Sequence, residues 1–168
     1  MQAVVVVESV FGNTRAVAEA IAEGLAKTMN VRVLDVSAAP ASTAGIDLLV
    51  VGGPTHVFGL TRHSTRESAA EQSGGAVVAA AIGLRDWLDD LPGGSALAAA
   101  FDTRTDHPRL PGSAAGGAVK RLRRRGYRMI ADPETFRVLG TKGPLLMGEP
   151  ERARAWGALL GSQLVPTA

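Results

Sequence analysis

A short apolar run near the start of the chain, Ala3-Val4-Val5-Val6-Val7, restricts the available folds more than any other feature. It shows no alternation of polar and apolar positions. A strand built from it must be covered on both faces, and such strands belong to parallel sheets packed between helices. The period then changes. From Thr14 to about Lys27, Val17, Ile21 and Leu25 fall on one stripe flanked by Ala18 and Ala22, while Arg15, Glu19 and Glu23 point elsewhere. The chain opens as buried strand, tight loop and amphipathic helix.

The alternation continues. Val31–Val36 predicts a second strand, followed by a loop with Pro40, and Ile46–Val51 predicts a third that ends at Gly52-Gly53-Pro54. A long connection runs to about Pro92. Within it Ser64-Thr65-Arg66-Glu67 matches a capping box that would open a short helix. A further helix is expected from about Val77 to Leu91, with Ile82, Leu84, Trp87, Leu88 and Leu91 as its apolar positions. Ala96–Phe101 reads as strand four and Asp102–Pro111 as a loop, followed by a helix from about Ser113 that stops at Gly126. Tyr127–Ile130, continued by Phe136–Leu139, is strand five. Pro150 in a first turn, with Glu149 and Glu151 beside the positive end of the dipole, opens the last helix. Its apolar positions are Trp156, Leu159, Leu160 and Leu164. No repeat or linker divides the chain, so residues 1–168 are expected to form a single α/β domain with a parallel sheet and right-handed crossovers.

Composition excludes several kinds of chemistry. There is no cysteine, which removes disulfides, thiolate nucleophiles, Fe–S clusters and cysteine-ligated zinc. His56, His63 and His107 lack metal-ligand spacing, so no metal site is expected. No apolar run reaches the roughly 20 residues of a membrane span, and no basic segment precedes the first apolar stretch. A cytoplasmic address, without membrane insertion, is the expectation. The formal charge of +2 favours an acidic partner or ligand without forming a nucleic-acid signature.

In an open α/β sheet, ligands sit beyond the carboxyl ends of the strands, where strand order reverses. Three loops converge there: Glu8–Thr14, Gly52–Arg62 and Asp102–Pro111. The first leads from a buried strand into a helix N-terminus, whose unpaired N–H groups and positive dipole end suit a phosphate. Ser9, Asn13 and Thr14 add short polar side chains, and Gly12 allows close approach of the backbone. The alternative is an ordinary turn in which Asn13 or Thr14 caps the helix. Neither G-x-x-x-x-G-K-[ST] nor a strand followed by G-x-G-x-x-G is present.

Ser9-Val10-Phe11-Gly12-Asn13-Thr14 resembles the phosphate-binding loop of flavodoxins, with Phe11 where a hydroxyl residue is usual. Gly52-Gly53-Pro54-Thr55-His56-Val57-Phe58-Gly59 is similar to the family's first flavin-ring segment. Phe101-Asp102-Thr103-Arg104 stands where its second ring loop follows strand four. The resemblance implies a flavodoxin-like three-layer sandwich, a five-stranded parallel sheet of order 2-1-3-4-5, and non-covalently bound FMN. It implies that Ser9, Phe11, Gly12, Asn13 and Thr14 surround the phosphate, and that Pro54, Thr55, His56, Phe58 and Gly59 line the isoalloxazine. Backbone groups of Thr103 and Arg104 would meet the pyrimidine edge. No catalytic residue is implied.

Flavodoxins usually sandwich the ring between aromatics and are strongly acidic. Here only His56 and Phe58 can stack in the first ring loop and His107 in the second, and Arg62, Arg66, Arg104 and Arg109 fall near the expected rim, opposed by Asp102 and Asp106. Positive charge there should favour the anionic reduced flavin and make the potential less negative. Lys120-Arg121-Leu122-Arg123-Arg124-Arg125 reads as a solvated helix end or as a docking face for an acidic partner, not as a nucleic-acid site. Three functions stay open. The first is an electron carrier that exchanges with a redox partner protein, such as a flavin or NAD(P)H reductase. The second is an FMN-dependent enzyme similar to the NAD(P)H:quinone oxidoreductases, acting on a small quinone. The third is a flavin-free interaction module. A response-regulator receiver needs clustered acids after strand one, where only Glu8 is available.

Overall fold

The computed structural model describes residues 1–55, 59–62, 64, 67, 71, 82–105 and 111–165. Its elements are β1 (Gln2–Val7), α1 (Asn13–Leu25), β2 (Asn30–Asp35), a 3-10 turn at Val36–Ala38, β3 (Leu48–Pro54), α2 (Leu84–Asp90), β4 (Leu97–Thr105), α3 (Ala114–Arg124), β5 (Arg128–Met129), β6 (Glu134–Val138) and α4 (Glu149–Ser162). All described strands join one parallel sheet of order β2-β1-β3-β4, with both β5 and β6 on the outer side of β4.

Successive side chains of a strand point to opposite faces, and the valine run therefore feeds two cores. Val4 and Val6, with Leu49, Val51, Ala98 and Ala100, pack against Leu84, Trp87 and Leu88 of α2 and Ala115, Ala118 and Leu122 of α3. Val5 and Val7, with Leu48, Val50, Ala99 and Phe101, pack against Val17, Ile21 and Leu25 of α1 and Ala153, Trp156 and Leu160 of α4. Each fully buried Val or Leu contributes about 1.5–3 kcal/mol. The expected three-layer α/β sandwich is the observed one.

Helices α1 and α4 approach almost backbone to backbone. A Cβ on Gly24 would lie 2.1 Å from the Arg154 carbonyl, and one on Gly157 would lie 2.1 Å from that of Ile21. This contact corrects the predicted stripe of α4. Leu159 is 55% exposed, and the buried face is Ala153, Trp156, Gly157, Leu160 and Gly161.

Other boundaries move for long-range reasons. β3 continues through Gly52-Gly53-Pro54, which pair with Phe101, Asp102 and Thr103. The sequence reads this triplet as a terminator, but Gly52 is glycine because the Phe101 ring takes its side-chain space, 2.0 Å from a Cβ. β4 runs four residues past Phe101 because β6 supplies a partner from Phe101↔Glu134 to Thr105↔Val138. Strand five is consequently two short strands along one edge. The helix expected from Val77 starts at Leu84 within the described residues, with Gly83 as its N-cap and Ile82 outside it and 49% exposed. Of the capping-box segment, Thr65 and Arg66 lie outside the described residues. Tyr127 precedes β5 and is buried, its hydroxyl bonded to Thr43 Oγ1 at 2.8 Å and to the Pro92 carbonyl at 3.1 Å.

Candidate functional site

The carboxyl ends of β1, β3 and β4 open on a cleft of about 70 Å³, room for several waters. Its walls are Val10, Phe11, Asn13 and Thr14 from the first loop, Pro54 and Thr55 after β3, and Thr103, Arg104 and Thr105 on β4. Val138 and Thr141, which the sequence reading did not single out, complete it. His56 and Phe58 lie outside the described residues, as do Arg66, Asp106, His107 and Arg109. Gly59 is buried at φ +112°, where a Cβ would touch the Ser113 carbonyl at 3.4 Å.

In the first loop, Gly12 takes the N-cap position of α1 at φ 87°, a conformation that costs other residues about 1–2 kcal/mol. Neither Asn13 nor Thr14 acts as the cap, so the alternative offered by the sequence does not describe the loop. The Arg15 amide donates to Ser9 Oγ at 3.2 Å and the Ala16 amide to the Gly12 carbonyl at 2.9 Å. Among the described residues, no acceptor meets the amides of Gly12, Asn13 and Thr14. Thr14 Oγ1 and Thr103 Oγ1, 2% and 4% exposed, lie 2.7 Å apart. Their bond uses one of two hydroxyl hydrogens and leaves the other for a third group.

A few residues away stands the opposite case. Asp102, expected at the rim, is fully buried. Its Oδ2 accepts from Thr55 Oγ1 at 2.8 Å, Ser113 Oγ at 2.7 Å and the Ala115 amide at 3.0 Å, while its Oδ1 accepts from Thr135 Oγ1 at 2.8 Å. It therefore joins the loop after β3, the start of α3 and β6. Thr55 also accepts from the Ala114 amide at 2.9 Å and donates its own amide to the Thr103 carbonyl at 2.8 Å, so the segment after β3 and the end of β4 belong to one framework. Glu8, buried at the end of β1, takes the Thr61 hydroxyl and, at 2.8 Å, the Leu84 amide, and so faces away from the first loop.

No family model and no curated protein matches this sequence. Solved structures do match. A flavodoxin from the domain Archaea aligns over 97% of this chain and 98% of its own, at TM-score 0.65 and 17% identity. Flavodoxin 2 from Bacillus cereus aligns over 98% and 100%, at TM-score 0.72 and 17% identity. This is the flavodoxin fold. A flavodiiron protein from Giardia intestinalis carries it as well, matching 96% of this chain with 36% of its own length at TM-score 0.60 and 19% identity.

On this flavodoxin fold the segment after β6 is secured electrostatically. The Arg137 amide donates to Glu149 Oε2 at 2.7 Å, and Arg152 bonds the same oxygen at 2.8 Å while pairing with Glu134 and lying 4.3 Å over the Phe136 ring. Burial acts to raise the Glu149 pKa, but the bonds from Arg152 and Arg137 outweigh it and hold the carboxyl below its usual range. The bond to Glu149, against a smaller opposing effect of burial, raises that of Arg152. Arg85, by contrast, is lowered by burial and by Arg121 and Arg62. The basic run occupies the other end of α3: the helix starts beside the cleft, where the Ala114 amide meets Thr55, and roughly 10 Å along it Arg121 bonds Asp89 Oδ1 at 2.8 Å, with Lys120, Arg123 and Arg124 exposed. Among the described residues no group of His, Asp and Glu could hold a metal ion, and no helix is long and apolar enough to cross a membrane.

Proposed function

We propose that this chain binds FMN non-covalently and serves as an electron carrier. The reading rests on one observation: among the described residues no acceptor meets the amides of Gly12, Asn13 and Thr14, at the positive end of a helix beside a cleft that Asn13 and Thr14 line. The residues fit a phosphomonoester, because donors converge and the nearby carboxylates of Glu8 and Asp102 are turned to other partners. Ser9, Phe11, Gly12, Asn13 and Thr14 would surround the phosphate. Pro54, Thr55, His56, Phe58 and Gly59 would border the ring, with Thr103 and Arg104 at its edge. Bound FMN would supply the redox chemistry, and the protein its position and electrostatics.

The mildly basic charge favours an acidic redox partner. Two measurements test the reading. Apoprotein mixed with FMN should quench flavin fluorescence and gain melting temperature; neither change would sink it. The loaded protein should oxidise NAD(P)H slowly with a quinone yet exchange electrons quickly with a reductase. Rapid direct NAD(P)H oxidation would select the quinone-reductase alternative instead.

A further inference from the structure

The cleft makes no use of the basic run of α3, and packing joins that run to two arginines from elsewhere in the chain. Arg85 of α2 donates through Nη2 to the Leu60 carbonyl at 3.0 Å and through Nε to that of Thr61 at 3.3 Å. Arg121 of α3 folds back to the same place. Its Nη1 donates to the Gly117 carbonyl at 3.3 Å, and a Cβ on Gly117 would lie 3.4 Å from Leu60 Cδ1 and 3.9 Å from that nitrogen. Arg62, which is exposed, follows two residues after Leu60. Lys120 and Arg124, four apart on α3 and both exposed, extend the face. Its charge is only partly compensated. Arg121 pairs with Asp89 at 2.8 Å, but among the described residues no carboxylate bonds Arg62, Arg85, Lys120 or Arg124. The crowding reaches Arg85, whose pKa is lowered by burial first and then by Arg121 and Arg62, with Asp89 and Asp86 opposing.

We infer that Arg62, Arg85, Lys120, Arg121 and Arg124 form a docking face for an acidic protein. Three observations select that occupant. Asp86, Asp89 and Asp90 stand exposed on α2 beside these cations, so the face suits separate carboxylates and would repel a continuous phosphate backbone. The aromatic residue of α2, Trp87, is buried with its Nε1 on the Pro40 carbonyl at 3.0 Å, so it has no ring face free to stack on a base. Every exposed side chain of α2 and α3 is charged, so these helices present no apolar residue to a lipid surface. Guanidinium groups suit carboxylates, which they pair through two parallel bonds, and the field of the face would steer the encounter. Docking does not require the flavin. Leu60, the anchor of the face, directly follows Gly59, which the proposed site sets beside the ring. On that reading, and resting on it, the docked protein is the redox partner.

The probes are a helical peptide with glutamates four apart, a duplex DNA, and vesicles rich in phosphatidylserine. Each is titrated into the isotope-labelled protein, with and without FMN, and followed by amide NMR. The peptide should shift the amides of Leu60, Thr61, Arg62, Arg85 and the end of α3 whether or not FMN is present, so failure of the flavin site leaves the docking result readable. Lys120→Glu/Arg124→Glu should weaken peptide binding by about ten-fold or more. Lys27→Glu/Arg32→Glu changes the net charge equally, at exposed residues without a partner among the described ones, and should weaken it by less than about two-fold. The wild-type shift map decides the matter if either pair does not fold. Equal losses in the two pairs would reduce the effect to net charge and overturn the inference. It is overturned as well by peptide shifts centred away from the face, by no peptide binding, or by tighter binding of the DNA or the vesicles at these residues.

Discussion

Two polar centres lie side by side at the carboxyl edge of the sheet, and they differ in one respect. Around Asp102 every carboxylate oxygen has donors, supplied from three separate elements. Around Gly12 the amides have no acceptor among the described residues. A saturated buried group is architecture, because its partners already compensate its desolvation. A set of converging donors left open is suited to an anion, since the first turn of a helix has no internal partner to offer them. The flavodoxin fold uses the first centre to hold the walls around the second.

The contrast can be broken from either side. Asp102→Ala should have the largest effect, costing about 3–5 kcal/mol, because Thr55, Ser113, Thr135 and the Ala115 amide lose their shared acceptor. A urea titration checks it, and a loss below about 1 kcal/mol would show that the centre is not structural. Replacing FMN by riboflavin removes only the phosphate. It should weaken binding by about 3 kcal/mol, a hundred-fold or more, without altering the stability of the apoprotein. Gly12→Ala should cost about 1–2 kcal/mol through its left-handed backbone and should weaken FMN binding. Gly45→Ala, also at positive φ in open space, serves as a control that loses stability but not affinity.

Smaller effects concern charge. Arg104→Glu should make the flavin potential more negative by on the order of 1 kcal/mol, measured by redox titration; an unchanged or raised potential counts against a rim of positive charge. Glu149 has a folded pKa depressed below its ordinary 4.5, so its contribution is present above that value and lost as the pH falls through the folded pKa. Exchange at the Leu146 amide, which donates to the carbonyl of Arg137 beside Glu149, should therefore quicken in acid in the wild type and much less in Glu149→Gln.

Much of this was legible in the sequence because it is local. A buried valine strand, a glycine turn and a helix with one apolar stripe are contiguous, and they place the first loop correctly. The carboxyl edge was harder. Gly52-Gly53-Pro54 looks like an ending until the Phe101 ring is seen in the space of the missing Cβ. Asp102 looks like a rim charge until β6 extends β4 past it. The hairpin after β6 was missed, although Gly140 and Gly143-Pro144 mark a turn, because its Lys142 carbonyl is held by Asn13, 129 positions away in the chain. Leu159 kept helical spacing with the core but lost its place to two glycines that bring the helix backbones together.

The central claim is that the amides at the opening of α1, which meet no acceptor among the described residues, grip a phosphate. An FMN titration followed by amide NMR of the labelled protein tests it most directly. The proton resonances of Gly12, Asn13 and Thr14 should move downfield together and saturate with the flavin, while riboflavin moves them little. If FMN binds and those three amides stay where they were, the phosphate lies elsewhere and the account of the cleft is wrong.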